Sequence, residues 1–132
     1  GGRKRGWLGA SLVEEEGVVA ALWKKMNVNR GDVGQSDAEN GGGVFVMGVK
    51  NGSPAEMAGI VPLQYLGEGG MVQAGDRIVA LGGAIVDSPA ELKKELSSRV
   101  EGEKISITVE DRFGTRRVVY ASLKDRENSK GS

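Results

Sequence analysis

The tetrapeptide Ser-Pro-Ala-Glu occurs twice, at residues 53–56 and 88–91, and each copy dictates where a helix starts. A serine at this place accepts a backbone N–H of the first turn. The proline has its φ already set for that turn, and the glutamate three residues after the serine can return a bond to the backbone before the helix. The first helix has little room, because Met57 and Ala58 lead directly to Gly59. The second can run further. Leu92 and Leu96 lie one turn apart on one face, with Lys93, Lys94 and Glu95 between them, and the segment ends before Gly102.

Around these two helices the apolar residues fall into short runs. Gly6 to Val13 reads as a glycine-bounded loop entering a strand, and Val44 to Val49 as a strand. Arg77 to Leu81 is another, turned at Gly82-Gly83 into a short return strand over 84–86. Ile105, Ile107 and Val109 alternate as in a half-buried strand. The chain then turns at Asp111 to Thr115, and Arg116 to Leu123 returns as the last strand. Apolar residues at 18, 19, 22, 23 and 26 have helical spacing, with Trp23 expected in the packing of that helix. Residues 29–43 are polar and glycine-rich and read as a mobile loop, and 61–74 form a second glycine-rich stretch. The 22 glycines are thus used largely as turn residues at the borders of apolar runs. Five to six short strands and two to three helices in mixed order predict an α+β domain. The expected architecture is a small, partly open antiparallel barrel or sandwich capped by the helices.

Composition narrows the function classes. The 132 residues suit one domain. With 18 basic and 18 acidic residues the formal charge is zero, which argues against a general nucleic-acid binder. The chain has neither histidine nor cysteine, so it cannot build Ser-His-Asp or Cys-His catalysis, a disulfide or a thiolate metal site. Asp32, Asp37 and Glu39 lack the spacing of a calcium loop, and no metal or cofactor is expected. No apolar run approaches the roughly 20 residues that span a bilayer, so no membrane insertion is expected. The glycine-rich ends, Gly1-Gly2 and Gly131-Ser132, read as linker in a domain taken from a longer protein.

Four segments, in order, resemble the PDZ domain of HtrA/Deg-type envelope proteases. Arg5-Gly6-Trp7-Leu8-Gly9-Ala10 looks like that family's carboxylate-binding loop. Gly43 to Val46, followed by Gly52-Ser53-Pro54-Ala55-Glu56-Met57-Ala58-Gly59-Ile60, resembles its strand, short helix and turn. Ala74-Gly75-Asp76-Arg77-Ile78 through Gly83 resembles its Ala-Gly-Asp strand and turn, and the helix from Ser88 and strand from Lys104 complete the set. On this resemblance residues 1–4 are linker, 5–123 one domain with inserts at about 27–43 and 61–74, and 124–132 a charged tail.

The resemblance implies a peptide-binding module that is not itself an enzyme. The amides of Leu8, Gly9 and Ala10 would receive a terminal carboxylate, since glycines let consecutive N–H groups converge on an anion. The ligand would add a strand to the edge over residues 10–13. Arg5, Trp7, Ser11, Leu12, Pro89, Lys93 and Leu96 would border its groove, with Leu8, Leu12 and Leu96 lining the pocket for the terminal side chain. Arg5 or Lys4 would add screened positive charge. Ala10 stands where the family usually has a larger apolar residue, which implies a roomier pocket for a large apolar terminal side chain. Pro89 stands about where many animal PDZ domains have a histidine, so selection of a hydroxyl two residues back should be absent. Micromolar affinity, about −8 kcal/mol, is expected.

Bland readings stand beside these. Trp7 either anchors a partner or covers the barrel rim, Arg3 to Arg5 read as a solvated tail ahead of a ligand site, and Glu14 to Glu16 as a solvated run. The parent would be an HtrA/Deg-type serine protease of the periplasm or another envelope compartment. The expected partners are C-terminal or extended protein segments and the parent's other domains. The alternative is an assembly domain of an envelope or secretion complex that binds a folded partner.

Overall fold

The computed structural model describes residues 5–30, 43–67 and 72–125, with 25–30 described for the backbone alone. The chain runs β1 (Gly6–Trp7), β2 (Ala10–Leu12), α1 (Glu16–Arg30), β3 (Val44–Val49), α2 (Pro54–Met57), β4 (Gln64–Tyr65) and β5 (Val72–Gln73). It continues β6 (Arg77–Leu81), β7 (Ala84–Ile85), α3 (Pro89–Ser97), β8 (Lys104–Glu110), β9 (Arg116–Ser122) and β10 (Lys124–Asp125). The main sheet has six strands in the order β2-β3-β6-β8-β9, with β7 paired to β6, and its pairings are antiparallel. Two further strand pairs, β1-β10 and β4-β5, complete an α+β fold that forms no closed barrel among the described residues.

Both helix starts form as the two boxes require. Ser53 and Ser88 have extended backbone, and each hydroxyl accepts from the N–H of the glutamate three residues on. The glutamates do not close the box on the serine itself. Glu56 accepts from Gly52 N–H at 2.7 Å and Glu91 from Asp87 N–H at 3.1 Å, one residue earlier than the usual partner.

Three segments depart from expectation. Helix α1 begins at Glu16 and runs to Arg30, so Asn29 and Arg30 are helical, while the rest of the expected 29–43 loop up to residue 42 lies outside the described residues. The 61–74 stretch holds the β4-β5 pair, with residues 68–71 outside the description. Lys124 and Asp125, expected in a charged tail, pair with Trp7 and Gly6, and Asp125 is buried. The remaining tail, 126–132, and the leading residues 1–4 lie outside the described residues.

The main core gathers the inward residues of the sheet, including Val44, Val46, Ile78, Leu81, Ile105, Ile107 and Val109. It closes them with Ala55 of α2 and Leu92 of α3. A second cluster joins Trp23 and Leu22 of α1 to Phe45, Leu63 and Ala74. There Trp23 meets Phe45 edge-on at 5.3 Å, and the Arg77 guanidinium lies 4.6 Å from the Trp23 ring centre. Trp23 is therefore the bolt that fastens α1 to the sheet.

The chain leaving α2 is braced by charge. Asp76, 1% exposed, accepts from Val61 N–H at 2.8 Å and from both Arg117 terminal nitrogens, at 3.0 and 2.6 Å. Arg117 also donates to the Gly59 carbonyl at 2.9 Å. The hydrogen bond to Asp76 holds the Arg117 guanidinium charged, above its already high ordinary value. Beside it, Glu110 accepts from Arg77 and Arg116, each at 2.8 Å. Burial pushes the Glu110 carboxyl up, but the hydrogen bond from Arg116 and the charge and bond of Arg77 outweigh it and hold it below the ordinary range.

Candidate functional site

The site is built where the loop between β1 and β2 meets α2. Gly9 has φ of 82°, a conformation that side chains resist. A Cβ there would press on the Ser53 side chain, 2.8 Å from its hydroxyl oxygen, with the tip of the Trp7 ring at 3.2 Å. The Leu8 carbonyl accepts from Ala55 N–H at 2.9 Å, and the Gly9 carbonyl from Lys50 N–H at 2.8 Å. A trans peptide unit points its N–H opposite to its C=O. With both carbonyls turned towards the scaffold, the amides of Gly9 and Ala10 turn the other way, out of the loop. Two successive N–H groups presented from one glycine turn make a concavity suited to an anion.

The next residues open an edge. Ala10 faces Val49 and Leu12 faces Val46, with a bulge between Ser11 and Leu12. Lys50 N–H to Gly9 C=O and Val13 N–H to Phe45 C=O, at 2.8 and 2.9 Å, flank those pairs. Ala10 and Leu12 are thus the non-hydrogen-bonded partners of β3, and their own N–H and C=O groups point to the other side. Among the described residues β2 is the last strand of the main sheet there, so that side is an edge able to accept a further strand.

Facing the edge is α3, and between them lies a groove of about 370 Å³. Leu8 and Leu92 are its floor, both buried in the main core, while Ala10, Leu12 and Leu96 are half-buried walls. Ser11 and Met47 border it on the sheet side, and Glu14 and Lys93 also line it. The structure therefore brings together Leu8, Ala10, Ser11, Leu12, Lys93 and Leu96 of the residues expected from the sequence, with Gly9 at the turn. It places three others outside the lining. Arg5 is exposed and bridges Val100, Trp7 pairs with Lys124 behind the loop, and Pro89 is the first residue of α3. Trp7 instead backs the glycine turn, with Lys50 Nζ 5.9 Å from its ring centre.

Met47 and Glu14 were missed as groove residues, and Lys50 and Ala55 as anchors of the loop carbonyls. Leu92 was legible as core through its spacing to Leu96. The others carry no local signal, since their roles come from partners distant in the chain.

A groove between a free strand edge and a helix, ending at outward-turned amides, defines a binding module. The model of the PDZ domain family matches residues 6–117, and the chain belongs to that family, whose domains are non-catalytic peptide-binding modules. No curated protein matches the chain. Among solved structures the fold is similar to that of the HtrA-type protease AlgW with decapeptide, at TM-score 0.64 and 23% identity, over 92% of this chain and 30% of that one. AlgW with tripeptide gives TM-score 0.61 and 22% identity over 91% of this chain and 31% of that one. An aminopeptidase N family protein from Idiomarina loihiensis gives 0.56 and 16%, over 92% of this chain and 14% of that one. The chain thus spans less than a third of the length of the AlgW structures it resembles. Among the described residues no helix is long and apolar enough to cross a membrane.

Proposed function

We propose that this domain captures C-terminal or extended peptide segments by adding them as a strand to the open edge of β2. The observation that carries the reading is the pair of anchored carbonyls, Leu8 to Ala55 and Gly9 to Lys50, which turn the Gly9 and Ala10 amides outward at the end of an apolar groove. A terminal carboxylate is held by those amides, with Leu8 N–H as the third donor implied by the family loop. Ala10 and Leu12 pair with the ligand backbone. Its terminal side chain rests on Leu8, Leu92 and Leu96, and Ala10 leaves room for a large apolar one. Ser11 and Lys93 border the upstream part of the ligand. Arg5 and Trp7 support the loop from behind, and Pro89 sets the start of the groove wall.

We infer further that the domain, over about 5–123 and extended to Asp125 by the β1-β10 pair, is the substrate-recognition or regulatory part of an HtrA-type serine protease of an envelope compartment. The similarity to HtrA-type structures with bound peptides supports this parent; the similarity to an aminopeptidase N family protein shows that the fold also occurs elsewhere. Titration with C-terminal peptides, each paired with its amidated twin, tests the site. Loss of binding on amidation by tenfold or more is the expected outcome. Equal binding of both twins moves recognition to an internal segment along the β2 edge, and no binding at millimolar peptide moves it to a folded partner.

A further inference from the structure

We propose that Glu14 and Lys93 form a charged clasp across the upstream half of the groove and make it select for charge at the fifth residue from a ligand's C terminus. The inference rests on the groove reading above. Glu14 follows β2 and Lys93 stands in the second turn of α3, so they come from the two opposite walls. Lys93 Nζ lies 3.0 Å from Glu14 Oε1. Both side chains are 60% exposed, and among the described residues each is the other's charged partner.

The placement of Glu14 is fixed by its neighbours. Val13 before it donates to the Phe45 carbonyl at 2.9 Å, and Glu15 after it accepts from Val19 N–H at 3.0 Å in the entry to α1. Trp23, buried against Phe45 and Arg77, bolts α1 in place. The sequence inserted between β2 and β3 thus positions one carboxylate at the groove.

An added strand has to occupy the gap that the clasp spans. If the terminal residue lies beside Ala10, an antiparallel ladder advancing two residues at a time puts the third-from-last residue at Leu12 and the fifth-from-last at Glu14. A neutral side chain there separates the two charges and returns them to water. A lysine recovers the interaction with Glu14, and a glutamate that with Lys93. The pair is solvent-exposed, so the effect is modest, about two- to fivefold in affinity, and weakens with salt.

Three peptides identical except for Gln, Lys or Glu at the fifth position from the end, titrated into the whole chain at low salt, decide the matter. In the unaltered protein the Lys and Glu peptides bind about two- to fivefold tighter than the Gln peptide. Glu14→Gln removes the advantage of the Lys peptide and leaves that of the Glu peptide. Lys93→Met does the reverse, and either change tightens the Gln peptide. Three equal affinities in the unaltered protein, or a ranking that neither substitution moves, overturns the clasp while leaving the groove standing. If none of the peptides binds, the groove reading fails and the clasp with it. Both residues are exposed, and unchanged thermal melting of the two variants confirms that the fold is intact.

Discussion

Ser53 and Ser88 each accept at 3.2 Å from the backbone N–H of the glutamate three residues on, yet Ser53 is wholly buried and Ser88 only half-buried. The two helices they begin share four residues of sequence and have different duties. Helix α2 is one turn long. Its Pro54 and Ala55 are buried, Ala55 N–H holds the Leu8 carbonyl, and Ser53 fills the space that only a glycine at position 9 leaves. Its exit is fixed by Asp76 and Arg117. Helix α3 sinks one residue, Leu92, into the core and leaves Lys93 and Leu96 to face the groove. The same capping chemistry thus supports a scaffold behind the loop in one place and a working wall in the other. What differs is the surface each helix covers.

Changes on the α2 side should therefore cost stability first, and changes on the α3 side should cost binding first. The largest effect is expected at Gly9→Ala. The new methyl meets the Ser53 side chain in a left-handed backbone, which should destabilise the domain by about 2–4 kcal/mol. Urea unfolding measures this, and a loss below ~1 kcal/mol would mean that α2 does not press on the loop. Leu96→Ala, on the other helix, should weaken a peptide with an apolar terminal residue by about tenfold, near 1.4 kcal/mol, through lost apolar contact. Titration and melting of the same sample separate the two effects, and a variant that loses as much stability as affinity breaks the proposed division.

A sharper test compares the two caps through a difference between them of about 1 kcal/mol. Ser53→Ala should cost about 1.5–2 kcal/mol and Ser88→Ala about 0.5–1, since one bond is made in the interior and the other nearer water. Equal losses by denaturant titration would show that burial does not separate the helices. The smallest effect is expected from acid. The Glu110 carboxyl is held below its ordinary value of 4.5, so the folded form binds protons less readily than the unfolded chain. Its contribution is complete above that ordinary value and is lost as pH falls through the lower folded value. Glu110, its side chain 7% exposed, adjoins the Asp76–Arg117 brace of α2, whereas the lowered carboxylate just past α3, Glu103 paired with Arg99, is 32% exposed and more nearly solvated. Amide exchange around Gly59 and Val61 should therefore quicken on acidification before that of Leu92 to Leu96. Simultaneous loss of protection would make the two helices one cooperative unit.

Local chemistry made much of this domain legible from its residues. Both helix starts, the apolar alternation of β8 and the glycine turns each depend on contacts within a few residues. The loop at 6–10 was singled out by family resemblance, and the structure sets Leu12 and Leu96 along the groove beside it. The extent of α1 was not legible, because its last residues are mostly polar and its hold on the fold is Leu22 and Trp23 packing on Phe45, Leu63 and Ala74. Nor was β10, whose two charged residues form a strand only because β1 lies beside them.

The sequence by itself determined where most of the chain bends, where α2 and α3 begin, and that it holds no histidine or cysteine chemistry. Tertiary structure alone decided which way the loop amides face, because the two carbonyls that orient them are held by Ala55 and Lys50, more than forty residues away. It also decided that Glu14 meets Lys93 across 79 residues of chain. Turns and caps are set by the short-range geometry of the backbone, which any stretch carries with it. The direction of a dipole and the pairing of charges depend on what the completed core brings near.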